Sequence, residues 1–450
     1  MGWRLRLVGA GLAAAAVAGG LPMVVDGTAP QSTSNAPLMV GINEAVSVPL
    51  RLMIKDRMSD ATVDAHHKAD AIETARLGAR VVRMHSAGHP GLAYDQWLAR
   101  GRSFDVTDRW LRIVQEQGID VVMMISPWPG NQTAEHTKAY SLSDPDGYSA
   151  FVKAAVERYD GDGVDDMEGL RAGVVAWEVD NEPDLKNTLP PKGQAGFDPV
   201  NFCTPTQYAD MLVKTAAWIR AADPDAVVLN GGFFRPMTGP GKTYMEAVFR
   251  QPGTVDAIDA LNLHIYFHDP KDIDRFDAAV EAGRRYAPGK PVWITETSLS
   301  IEPGDAAAEV AQAEFMVQLI ARALRLDVKA VFWHSLVDPP LSAAARRKGP
   351  GMTATSLLRT TESGQLEEKP AAVAFKRMVA LLDGAKGPVE VNGTSVRLGD
   401  AWLAPDGRWS WQGPEATVER ARDGAPQTPT RSGEVWRVSS DAAVIIRPSR

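Results

Sequence analysis

The chain has 450 residues, a formal charge of −8, and 44% hydrophobic against 23% charged residues. That length accommodates one large domain with an appendage, and the composition, that of a chain with a sizeable core, excludes whole-chain disorder. The acidic balance, with no basic stripe, excludes a general nucleic-acid binder, and a single cysteine, Cys203, excludes an intrachain disulfide or a cysteine-built zinc site.

In chain order, Arg4 and Arg6 precede an Ala/Gly-rich apolar run from Leu7 to Leu21, so residues 1–25 read as a signal peptide or an N-terminal anchor. The cleavage region Gly27-Thr28-Ala29 is followed by Pro30, which disfavours cutting and keeps an uncleaved anchor open. No cysteine follows the run, which excludes a lipoprotein anchor. The expected location is therefore secreted or periplasmic, with membrane contact only through such an anchor. Residues 26–37, rich in Thr, Pro, Ser and Asn, read as a linker.

From Leu38 onward, short apolar runs alternate with longer amphipathic segments. Strands are expected at 38–43, 79–84, 119–125, 173–179, 225–230, 258–264, 291–295 and 329–334, nearly continuous in apolar residues as strands covered on both faces must be. Helices are expected at 62–77, 105–117, 147–159, 206–221, 243–250, 273–286, 306–325 and 370–382, with Gly78, Gly118 and Pro224 marking three stops. Eight such βα units predict an α/β fold, a (β/α)8 TIM barrel over 38–385, with an open doubly wound sheet as the alternative.

Residues 386–450 change character. Short alternating segments broken by Asn392-Gly393 and Asp406-Gly407 predict a small C-terminal β appendage. Four of the twelve tryptophans, Trp402, Trp409, Trp411 and Trp436, fall there. They are read as the core of that small β region in preference to a sugar-stacking platform.

In a βα barrel the chemistry sits where strands end, which selects Asn43, Arg83, His85, Ser126, Trp128, Asn181, Glu182, Asn230, His264, Tyr266, Glu296, Trp333 and His334. Two are carboxylates behind apolar strands. Glu182 lies in Trp177-Glu178-Val179-Asp180-Asn181-Glu182-Pro183, and Glu296 in Trp293-Ile294-Thr295-Glu296-Thr297. A fourth strand ending in Asn-Glu-Pro and a seventh ending in Thr-Glu resemble the large barrel clan of retaining glycosidases, clan A. That resemblance covers roughly 38–382 and implies that Glu182 is the acid/base and Glu296 the nucleophile. Arg83, the His264-x-Tyr266 pair and Trp333 stand where the clan has functional residues. Within the clan, Thr355-Ser356-Leu357-Leu358 followed by Glu368-Lys369-Pro370-Ala371 is similar to family 39, which includes xylosidases and iduronidases. Asp180 departs from that family, which often has an aromatic residue there.

The residue chemistry agrees. A retaining mechanism needs one ionised and one protonated carboxyl about 5 to 5.5 Å apart. Arg83 and Tyr266 would hold Glu296 anionic, while burial beside Trp177 and the negative Glu296 would keep Glu182 protonated. Asn181 offers an amide to a sugar 2-hydroxyl, Trp333 and Trp128 apolar surfaces for a sugar face, and His85 and His264 hydrogen bonds to sugar or carboxylate. The His85/His89 and His264/His268 spacings do not fall on predicted helices, so no metal is expected. His66, His67 and His136 are expected at the surface. The expectation is an enzyme without a cofactor, acting on carbohydrate by hydrolysing β-glycosidic bonds; a transglycosylase using the same residues and a silent glycan-binding barrel remain open.

Overall fold

The structure, a computed structural model, describes residues 31–32, 38–43, 58–84, 92–127, 144–184, 204–234, 236–237, 239–338, 354–385, 387–412 and 415–448. Eight parallel strands follow the apolar runs: β1 (Met39–Asn43), β2 (Val81–Arg83), β3 (Asp120–Ser126), β4 (Ala176–Val179), β5 (Val228–Asn230), β6 (Leu261–Phe267), β7 (Val292–Leu299) and β8 (Ala330–His334). They pair in the order β5-β4-β3-β2-β1-β8-β7-β6. Single parallel bridges, Leu229 to Ala260 and Phe233 to Leu263, join the two ends, so the sheet rolls into the expected barrel.

The helices are α1 (Asp60–Arg76), α2 (Asp105–Glu116), α3 (Pro145–Tyr159), α4 (Pro205–Ala222), α5 (Gly239–Phe249), α6 (Asp274–Tyr286), α7 (Ala306–Arg325) and α8 (Pro370–Gly384). Local chemistry explains their bounds. Ser59, Asp144, Thr204 and Asp305 each accept backbone N–H groups at a first turn, and Thr204 with Gln207 forms a reciprocal capping box. One expectation fails on α1: His67 is buried, because it shares the inward face with Val63, Asp70, Ala71 and Thr74, while His66 is half-buried.

Inside the barrel, the lower layer is a plug of Val81, Val122, Ala176, Leu229, Ala260, Trp293, Ala330 and Phe332. Gly41 lets β1 pass this plug, since a Cβ there would lie 2.6 Å from the Phe332 ring. The larger core lies outside the barrel, between strands and helices.

The C-terminal region is antiparallel, as expected. Glu390–Asn392, Ser395–Leu398, Ala401–Ala404, Val444–Pro448, Ala416–Arg420 and Pro426–Gln427 form one sheet, and Arg408–Gln412, Val435–Ser439 and Thr430–Ser432 a second. Trp402, Trp409 and Trp411 are buried in its core, with Trp436 packed against them; Trp402 and Trp409 lie 4.7 Å apart and Trp411 stacks on Trp436. They are core residues. Leu398, Leu403, Ala443 and Ile445 join the barrel's own apolar cluster, and Glu314 on α7 accepts from the Ala443 N–H at 2.6 Å. From the segment expected as a linker, Gln31–Ser32 pairs antiparallel with Glu390 and Val391. Among the described residues no helix is long and apolar enough to cross a membrane; the expected signal or anchor, residues 1–25, lies outside them.

Candidate active site

All eight strands point their C-terminal ends at one mouth, where the inward positions turn from apolar to polar. Strand alternation accounts for most of the change. Ala176 and Glu178 share the inner face of β4, and Ala260, Asn262, His264 and Tyr266 follow one another at spacing two on the β6 side.

β7 needs a different device. Its neighbours pair with Ile294 through Leu263 and Val331, then with Glu296 through His264 and Thr297 through Trp333, so both sides of the strand skip Thr295. This one-residue bulge lets consecutive residues, Thr295 and Glu296, both contact His264; strict alternation would send Glu296 to the opposite face from Thr295.

Arg83 is the hub. Its Nε and Nη2 donate to the two oxygens of Glu178, both at 2.6 Å, a bidentate fork. Its Nη1 donates to Glu296 Oε1 at 2.6 Å and to Asn43 Oδ1 at 3.0 Å, and its Nη2 also reaches Asn181 Oδ1 at 2.7 Å. The guanidinium and the Glu178 carboxylate are wholly buried. Burial works against the arginine's charge, but Glu178 and Glu296 outweigh it and hold Arg83 above its ordinary value. The Tyr266 hydroxyl donates to Glu296 Oε2, so the nearby charge and hydrogen bonds favour an ionised Glu296.

Glu182 is surrounded differently. Its Oε1 meets His264 Nδ1 at 2.8 Å, and His264 Nδ1 is 3.5 Å from Glu296 Oε2. Burial first, then the charges of Glu296, Asp184 and Glu178, push its carboxyl well above the usual range against the opposing pull of Arg83. The backbone is strained here, with φ of +67° at Asp180 and +46° at Glu182, a conformation costly for residues with a Cβ and concentrated at functional sites. Asp180 itself, buried behind the loop with Ser126 Oγ donating at 3.1 Å, is pushed up to about 7 by desolvation.

Of the residues expected at the site, the structure gathers Arg83, Asn181, Glu182, His264, Tyr266 and Glu296. The Arg83 contact fixes the Asn181 carboxamide with its oxygen toward the guanidinium. Trp333 requires correction as a wall for a sugar face. It is 2% exposed, joins the outer core, and donates its indole N–H to the Thr355 carbonyl. The next residue, His334, faces the mouth, 3.0 Å from Asn43 Nδ2 and edge-on to Tyr266. Parity explains the exchange, since His334 follows Ala330 and Phe332 on the inner face of β8. His85, Trp128, His89 and His136 lie outside the described residues. Glu178 was not selected by strand-end reading because it precedes the strand end; a charge inside an apolar strand, on the inner parity, was its available signal.

Two groups among the described residues bring possible metal-ligand atoms within 4.8 Å of one another: Glu182, His264 and Glu296, and the surface loop Asp160, Asp162 and Asp166. The first is knitted together by the hydrogen bonds above and suits proton and sugar transfer. His268, just past the end of β6, is exposed and does not converge with His264.

A glycosyl hydrolase catalytic core family model matches residues 180–346. No curated protein sequence matches the chain. Among solved structures, a family 39 glycoside hydrolase from Bacteroides cellulosilyticus WH2 superposes with a TM-score of 0.57 at 15% identity, covering 92% of this chain and 81% of that one. A family 39 β-xylosidase from Caulobacter crescentus gives 0.56 at 17%, covering 94% and 98%. A family 51 α-L-arabinofuranosidase from Bifidobacterium longum gives 0.58 at 12%, covering 93% and 97%. At these identities the superpositions speak for the fold, while the family match spans Glu182, His264 and Glu296 in the barrel mouth. Residues 180–346 thus match a glycosyl hydrolase catalytic core, and the barrel as a whole resembles family 39 and family 51 glycoside hydrolases in fold.

Proposed function

We propose that the protein hydrolyses β-glycosidic bonds with retention, Glu296 acting as nucleophile and Glu182 as acid/base. The observation that carries this reading is the closeness of the two carboxyls. Oxygens of Glu182 and Glu296 lie within 4.8 Å, compatible with the separation of about 5 to 5.5 Å of retaining enzymes and too close for the water that an inverting enzyme seats between carboxyls about 6.5 to 9.5 Å apart.

The two environments divide the roles. Glu296, paired with Arg83 and Tyr266, attacks the anomeric carbon as an anion, while protonated Glu182 delivers its proton to the departing oxygen. The new glycosyl ester removes the charge of Glu296 and with it part of the repulsion holding Glu182 protonated. Glu182 then takes a proton from water as it attacks the anomeric carbon, and Glu296 leaves with its charge restored. The NH2 of Asn181 is the donor for a sugar 2-hydroxyl, and His334 with Tyr266 lines the opposite wall. The substrate class is a carbohydrate; the fold shared with a xylosidase and an arabinofuranosidase supports a pentose-bearing glycoside as the first to try. The N-terminal pattern supports action outside the cytoplasm.

Glu182→Ala should abolish turnover of glycosides with poor leaving groups, retain part of the activity on activated aryl glycosides, and be rescued by azide. A 2-fluoro sugar should label Glu296, and NMR of the first-formed product should show the β anomer. Full activity of Glu182→Ala on an unactivated substrate, or a label on Glu178, would overturn the assignment. The same product analysis separates hydrolysis from transfer of the sugar to another hydroxyl.

A further inference from the structure

Behind His264 runs a buried polar ladder that the double displacement does not itself use. Asn230 and Asn262 exchange backbone and side-chain hydrogen bonds: Asn262 N–H donates to Asn230 Oδ1 at 2.9 Å, and Asn230 Nδ2 to the Asn262 carbonyl at 2.8 Å. Asn262 Oδ1 in turn accepts from the Thr295 backbone N–H at 3.2 Å and from Thr295 Oγ1 at 2.9 Å. All three residues are fully buried.

This ladder has a direction. A backbone N–H can only donate, so the Asn262 atom facing Thr295 is its oxygen, and the Thr295 hydroxyl, 2.9 Å away, donates its single proton to that oxygen. Thr295 Oγ1 is then an acceptor towards His264 Nε2, 3.0 Å away, which must carry hydrogen. In a neutral imidazole the other nitrogen is bare, and Nδ1 is the atom 2.8 Å from Glu182 Oε1. The ring packs against Gly232, which leaves it room because a Cβ there would come within 2.0 Å of Nε2.

We infer that the Asn230–Asn262–Thr295 ladder is a positioning device that fixes His264 as its Nε2–H tautomer and so makes Nδ1 the acceptor for the Glu182 carboxyl proton. The inference rests on the reading of Glu182 as acid/base. Its consequence is that losing the proton sets a carboxylate oxygen against a lone pair at hydrogen-bond distance. Glu182 therefore holds its proton until a leaving group takes it, and recovers one readily from water. The upward displacement of the Glu182 carboxyl is in the same direction. Other charged or titratable groups face this pair too: Arg83 on β2, Glu178 on β4, Asp184 beside Glu182, Tyr266 on β6 and Glu296 on β7. None of them is altered by replacing Thr295.

The test reads the tautomer directly. In the resting full-length enzyme carrying 15N-labelled histidine, with the His264 signals identified by their loss in His264→Gln, the proton should reside on Nε2 and not on Nδ1; a protonated Nδ1 overturns the inference. Thr295→Val removes the acceptor and frees the ring to take the Nδ1–H form, which would donate to and stabilise an ionised Glu182. The basic limb of kcat/KM should then fall by about one pH unit, a factor of ten in proton affinity, with poor leaving groups losing more than activated aryl glycosides. Thr295→Ser keeps the hydroxyl and should restore the wild-type limb. A basic limb unmoved in Thr295→Val also overturns it. Failure of azide to rescue Glu182→Ala would instead remove the acid/base reading and leave the tautomer result standing on its own measurement.

Discussion

The two ends of the same eight strands are built from opposite materials. Below, Val81, Val122, Ala176, Leu229, Ala260, Trp293, Ala330 and Phe332 fill the barrel with apolar volume. Nearer the C-terminal ends of the strands, Asn43, Arg83, Glu178, Asn230, Asn262, His264 and Glu296 are just as buried but polar. The contrast separates labour. Apolar burial makes the lower end a source of stability, whereas the upper end holds ionised groups whose desolvation is offset only by one another.

The contrast can be broken from either side. Glu296→Ala should lower kcat on the order of 10⁴-fold or more while shifting the melting temperature little, because Arg83 keeps its bidentate pair with Glu178. Phe332→Ala should do the reverse, losing about 3–5 kcal/mol of stability with kcat of the folded fraction nearly intact. Assays on aryl glycosides beside denaturant titrations check both, and a Phe332 variant that loses chemistry without stability would erase the division.

Asp180 sharpens it further. The folded protein keeps the Asp180 proton up to about 7, whereas the unfolded chain releases it near the ordinary 3.8, so the folded state binds more protons between those values and loses stability as pH rises through them. Asp180→Asn removes that loss. Its melting temperature should match the wild type near pH 4 and exceed it by about 2 °C or more at pH 8. The smallest effect belongs to the C-terminal region. Trp436→Ala should cost about 1–2 kcal/mol, as befits a half-buried ring, and leave KM and the retention of oligosaccharides unchanged; a selective loss of sugar binding would make the tryptophans a platform after all.

Much of this was legible in the sequence because the barrel repeats two simple signals. Apolar runs located all eight strands, and amphipathic segments with stops at Gly78, Gly118 and Pro224 located the helices to within a few positions. Strand ends were harder. β6 and β7 were expected to stop at 264 and 295 but continue to Phe267 and Leu299, because the polar residues that seemed to terminate them line the mouth instead. The same ambiguity hid Glu178 and favoured Trp333 over His334: residue type suggested a sugar platform, but inward parity decides which side chain reaches the site. His67 failed similarly, a polar residue on the inner face of α1. The Arg83 hub was seen as one partner of Glu296, while its bidentate grip on Glu178 depends on distances that no spacing reveals.

The extra residue in β7 makes the orientation of the nucleophile a matter of chain length. Deleting one residue between Ile294 and Thr297 would keep nearly the whole composition and every other strand, yet restore strict alternation across the barrel wall. Substitutions at Thr295 preserve the count and alter only the chemistry behind His264. A length change and a side-chain change at this same address are therefore separable perturbations: the first re-aims a carboxylate, the second retunes a proton.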